Sequence, residues 1–214
     1  MMNFRKIKES LVELLGSKAA GRFKVIGYQK QIKNASETEG NNRAVEIFYS
    51  DGDMPKKGSS LTGPIDHDME FKLEFTVSAQ AKADLVVLEN PGSTTAEVET
   101  ALAELQVATK IADDSIDELW ELVYQILMDA LEVGLGLLDE DGKENVVQNR
   151  WVGEFRKDTA QPKGELVILT ASAKYTCRTD EEITGDTVTS GEVMDTTLNQ
   201  DDDKENIAGT REEL

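Results

Sequence analysis

Met69-Glu70-Phe71-Lys72-Leu73-Glu74-Phe75-Thr76-Val77-Ser78-Ala79-Gln80 opens a stretch that runs on through Ala81, Ala83 and Leu85 to Val87, with an apolar residue at every odd position. Through Gln80 the interleaved positions are polar, and Asp68 begins the same pattern. A period of two sends one set to one face of a strand and the other set to the opposite face. The stretch therefore predicts a β-strand with an apolar face and a charged, wet face. That is the logic of an antiparallel sheet with one solvated or partner-facing side. Residues 69–87 in one strand would span roughly 60 Å at ~3.3 Å per residue, longer than an ordinary strand. A bulge, bend or break is expected near Ala79–Ala83, and the segment after it is open to helix as well as strand.

Working outward, Phe4, Ile7, Leu11, Leu14 and Leu15 recur at helical spacing and predict a helix over 4–15, stopped by Gly16. Phe23, Val25 and Tyr28 mark a first strand, and residues 29–42 are polar and turn-rich. Arg43–Ser50 predicts a second strand with Val45, Ile47 and Tyr49 on one face. Residues 51–66, with Gly52, Pro55, Gly58, Gly63 and Pro64, predict a long loop, and loops of this length tend to be functional or mobile.

Beyond Pro91-Gly92, two helices are expected. One runs from Thr94 to about Ala108. The other spans 115–132, with Ser115 and Glu118 as a capping box and a stripe from Ile116 to Ala130, ended by Gly134 and Gly136. Trp120 on that stripe reads as core rather than a ligand platform. Val147, Trp151 and Phe155 mark a strand over 145–157, and Val167 to Cys177 mark another over 165–178. Gln161-Pro162-Lys163-Gly164 is the hairpin link between them. Strands that cluster rather than alternate with helices predict an α+β fold, a mainly antiparallel sheet with helices packed on one face.

Residues 1–179 read as a single α+β domain. Residues 180–214 hold twelve Asp/Glu against Lys204 and Arg211 with few large apolar groups, so a largely disordered acidic tail is expected, with room for one strand near Thr184–Val193.

The net charge of −19 argues against nucleic-acid binding and against an anionic membrane surface, since no Lys/Arg cluster offsets it. The lone Cys177 excludes an internal disulfide and a Cys-rich zinc site. Met1–Gly16 has basic residues but no unbroken apolar run and no A-x-A-like cleavage site, so no signal peptide is read. No run approaches the ~18 apolar residues of a spanning helix. A soluble, cytosolic protein is expected.

Few residues point to chemistry. Asp139-Glu140-Asp141-Gly142-Lys143-Glu144 has a calcium-loop flavour, but Gly142 at position 6 puts Leu137 first and Gln148 last, and neither supplies the required oxygen ligand geometry. Asp201-Asp202-Asp203 lacks a rigid cage and reads as solvated charge. Asp66-His67-Asp68 holds the only histidine, flanked by carboxylates that would raise its pKa. His67 shares the parity of Met69 and Phe71, so it reads as tucked against the core edge rather than as a catalytic base. Cys177 shares a face with Tyr175 and Ala173 and reads as a small buried hydrophobe. No Walker loop, GxGxxG, nucleophile elbow or HExxH occurs, so no catalytic, cofactor-binding or metal residue is assigned and no enzyme is expected.

Surface remains: charged strand faces, the 51–66 loop and the acidic tail, all suited to contacts with other chains. The order of elements resembles the tail terminator, or tail completion, proteins of tailed phages. The carrying stretches are the N-terminal helix, the Arg43–Ser50 strand, the strand from His67 to Val77, the helix from Asp117 to Leu127, and the closing strand pair with Arg150, Gly164 and Thr170–Arg178. The likeness covers roughly residues 1–180, and the 51–66 loop and the acidic tail depart from it. It implies a small α+β subunit of the virion tail, assembled in the host cytoplasm. Such a subunit forms a ring with itself, commonly a hexamer, which caps the tail tube and joins it to the head-tail connector. The family has no catalytic residues to carry over. The other reading is an acidic adaptor that uses its C-terminal tail on a basic partner.

Overall fold

The structure, a computed structural model, describes residues 3–28, 43–53, 65–129, 131, 134–135, 137 and 147–181. It is a mixed α/β fold in which a six-stranded, mostly antiparallel sheet carries two packed helices. Helix α1 spans Asn3–Ala19 and α2 spans Thr95–Met128. The strands are β1 (Lys24–Ile26), β2 (Arg43–Asp53), β3 (Ile65–Gln80), β4 (Gln148–Lys157), β5 (Gln161–Lys163) and β6 (Leu166–Glu181). Spatial order is β1-β2-β3-β6-β4, with β5 paired to β6. Only β1 and β2 run parallel.

The alternation forms the centre of this sheet. β3 and β6 pair along their whole lengths, from Ile65 opposite Glu181 to Gln80 opposite Leu166. Met69, Phe71, Leu73, Phe75, Val77 and Ala79 are all buried, and they face Cys177, Tyr175, Ala173, Ala171, Leu169 and Val167. Each fully buried Phe or Leu contributes roughly 1.5–3 kcal/mol, so this double row dominates the core. Ile7, Leu11, Leu15, Ile116, Leu119, Val123 and Leu127 from the two helices close over it.

The strand ends at Gln80, inside the expected break. The chain then makes a 3-10 helix, Leu85–Glu89, started by the Asp84 carboxylate accepting from Val86 N–H. Gly164 at φ +59° turns β5 into β6, in the expected hairpin link.

Several expected boundaries are corrected. Helix α1 does not stop at Gly16. Ala19 is buried one turn later, and a helical glycine costs only about 1 kcal/mol. The stop comes at Ala20 (φ +48°) and Gly21 (φ +79°), with Arg22 donating to the Ala19 and Lys18 carbonyls. The two expected helices are one. Residues 109–114 hold no glycine or proline, and Ala108, Ala112 and Ile116 carry a buried stripe straight through. The capping box is Thr94 with Glu97, whose carboxyl pKa is lowered by the Thr94 backbone and side-chain hydrogen bonds. Ser115 and Glu118 lie mid-helix and instead hold Arg43 of β2. The helix ends at Met128, before Gly134 and Gly136. The ends of the expected 51–66 loop are strand: Gly52 pairs with Met69 and Asp53 with Asp68. Tyr28 lies beyond β1 and is exposed. The expected Thr184–Val193 strand lies outside the described residues.

Candidate functional site

The Asp66-His67-Asp68 triplet lies where β2, β3, β6 and the start of α1 meet. The strand pleat splits it. His67 turns to the helix-covered face and is 2% exposed. Its Nε2 lies 3.4 Å from the Tyr49 hydroxyl, with the rings edge to face, and Phe4 of α1 packs on Tyr49. Thr179 stands opposite His67 and accepts a hydrogen bond from Asn3 Nδ2 at 3.3 Å. Asp68 turns to the other face, where Arg178 grips both its oxygens at 2.6 and 2.8 Å. The imidazole and the Asp68 carboxylate therefore point to opposite faces of the sheet. The core-edge reading of His67 holds.

On the charged face, Lys174 bridges Glu70 (2.9 Å) and Glu154 (3.3 Å), and Lys72 pairs with Glu74 at 2.6 Å. Hydrogen bonds to Glu70 and then Glu154 raise the Lys174 pKa. An open groove of about 430 Å³ at the same end is lined by Asp51, Asp53, Asp68, Glu70, Asn149 and Arg178. It is acidic, yet among the described residues no group of three or more His, Cys, Asp or Glu side chains is placed to share a metal ion.

Cys177 is 3% exposed against Met69, and burial first, then the nearby Asp68 charge, pushes its thiol up to about 12. It is a neutral packing group at physiological pH, as expected. Beside it the Tyr175 phenol is fully buried and its pKa is raised, chiefly by burial. Among the described residues the buried Tyr175 hydroxyl and Arg150 Nη1 have no hydrogen-bond partner, while Arg150 Nη2 donates to the Asp129 carbonyl at the end of α2.

Trp120 packs as expected on the core, edge-on to Phe75 and stacked on Phe155 (4.6 Å, 10° between planes), though it stays half-buried. Phe155 reaches it because of a feature the sequence pattern hides. Val147, Trp151 and Phe155 share parity, which places all three on one face of a regular strand. Instead Asn149 (φ +47°) and Glu154 (φ +56°) adopt left-handed backbone, and the β4–β6 register slips at both places. Each slip resets the alternation. Val147, Val152 and Phe155 turn to the helices, and Trp151 turns to the charged face, 60% exposed.

Surface charge is segregated between the helices. Residues 3–24 hold six Lys/Arg against Glu9 and Glu13, whereas α2 holds eight Asp/Glu against Lys110. The expected calcium-like turn 139–144 and Asp201–Asp203 lie outside the described residues. Among the described residues no helix is long and apolar enough to cross a membrane. Comparison with known protein families and with curated proteins gives no match.

Proposed function

We propose that this chain is a structural subunit of a tailed-phage tail, a terminator that closes into a ring with copies of itself, caps the tail tube and meets the head-tail connector. The observation that carries the reading is the architecture: two helices on one face of a long, mostly antiparallel sheet whose other face is a lattice of ion pairs. It accords with the element order that carries the resemblance. Ion pairs tie these elements to one another: Asp68 with Arg178, Lys157 of β4 with Asp113 and Asp117 of α2, and Arg43 of β2 with Glu118 of α2. A ring subunit needs rigid elements to present its contact surfaces, and a sixteen-residue central ladder supplies that rigidity.

The test is solution mass by light scattering across concentration, followed by electron microscopy of the protein mixed with purified tail tubes. A closed species near six subunits that binds tube ends and halts their growth is the expected result. A monomer that ignores tubes, but binds a basic partner in a salt-sensitive way lost on removing residues 182–214, overturns it in favour of the acidic adaptor.

A further inference from the structure

The two flanks of the sheet carry opposite charge. α1 packs over β1 and β2, and α2 over β3, β6 and β4. On α1, Val12 packs against Gly27 just after β1 and so marks the outward stripe. Arg5 and Lys8 share that stripe at helical spacing, and Lys24 lies exposed on β1, the strand at that edge of the sheet. On α2, Asp113 and Asp117 bind Lys157 of β4 and mark the stripe on the opposite flank. Glu99 and Glu121 lie on it on either side of Lys110, with Leu102 and Tyr124, which are 45% and 38% exposed. Arg5, Lys8, Lys24, Glu99 and Glu121 have no ion pair among the described residues. The basic flank also shows an apolar group, Tyr28, 61% exposed.

We infer that the α1/β1 flank of one subunit docks on the α2/β4 flank of a second copy, with Arg5, Lys8 and Lys24 set against Glu99 and Glu121 around Tyr28, Leu102 and Tyr124. The occupant follows from complementarity. A chain of net charge −19 places unpaired cations on one flank, and the matching anions lie on its own far flank, where only another copy can bring them together. The two patches differ, so the contact is head-to-tail and repeats until the rotation closes. This names the interface of the proposed ring and rests on that reading.

Two charge-reversed proteins test it: R5E/K8E/K24E, and E99K/E121K. Asp113 and Asp117 stay intact because they hold β4, and circular dichroism melting checks the fold of each variant. Wild type is expected to give the ring mass by light scattering. Each variant alone is expected to be monomeric, with self-association weakened at least tenfold, and an equimolar mixture to regain the ring mass through alternating contacts. Variants that each still form the wild-type ring overturn the flank assignment and leave the ring reading standing. So do two monomeric variants that fail to rescue one another. A wild type that is monomeric at every concentration and also fails to assemble on purified tail tubes removes the ring reading itself.

Discussion

The Tyr49 hydroxyl occupies the space in which a β-carbon on Gly52 would sit, and His67 Nε2 lies 2.6 Å from the same point. Gly52 follows the bulge between Tyr49 and Asp51 and faces Met69 across the ladder. The missing side chain is what lets the buried Tyr49–His67 contact close over the end of β2. Gly52→Ala is expected to cost about 1–3 kcal/mol, the usual cost of forcing one carbon into filled space. Adding Tyr49→Phe removes the nearest atom, so the double variant should lose less than the sum of the singles. Urea unfolding of the four proteins measures this, and a Gly52→Ala protein as stable as wild type would refute the packing argument.

The left-handed Glu154 gives a prediction of opposite signs. Glu154→Gly keeps the bulge and relieves the backbone, so it should be neutral or stabilising by up to about 1 kcal/mol. The exposed ion pair it loses to Lys174 is worth little. Phe155→Ala instead leaves the bulge in place and removes the ring stacked on Trp120. That should cost about 2–4 kcal/mol, as for truncating a packed aromatic. Thermal melts of both proteins, with tryptophan fluorescence reporting the Trp120 stack, decide it; equal effects from both changes would rule the argument out.

Burial of Cys177 sets a pH dependence. The folded thiol titrates near 12 and the unfolded one near 9.0. Above the unfolded value the unfolded chain gives up its proton while the folded chain keeps it. Stability therefore falls as pH climbs from about 9 towards 12. A Cys177→Ala protein should lack this component, so the wild-type advantage shrinks over that window. The native thiol should also resist a disulfide reagent at pH 8 and react once the protein unfolds; fast native labelling would contradict the burial.

Lys157 is held between Asp113 and Asp117, each at 2.7 Å. Burial alone lowers its pKa, but the hydrogen bonds and charges of the two carboxylates outweigh it and the net shift is upward. The contribution is therefore complete below the ordinary lysine value of 10.5 and fades as pH rises through the raised folded value. Lys157→Met should cost about 0.5–1 kcal/mol at neutral pH, given how exposed the carboxylates are. High salt should shrink the difference, and a salt-independent loss would mean that packing, not charge, holds β4 to α2.

The sequence by itself determined the long alternating strand, the 165–178 strand, the faces of both and the α+β class, because a period-two pattern of apolar residues has one low-energy solution when one face is covered; that the two strands pair at the centre of the sheet was decided by the tertiary structure. It also placed His67 and Cys177 inward by parity alone. The tertiary structure decided what local rules leave open. Residues 109–114 continue a helix because Ala112 finds a sheet to pack on, although Ser115 and Glu118 make a plausible local start. β4 breaks its own alternation at Asn149 and Glu154 because aligning Val147, Val152 and Phe155 with one core outweighs the local cost of left-handed backbone. Asp66, His67 and Asp68 are neighbours in the chain, yet the pleat commits His67 to the core and Asp68 to Arg178. The opposed charge of the two flanks likewise belongs to no single segment. It arises only when the sheet order carries a basic helix to one edge and an acidic helix towards the other.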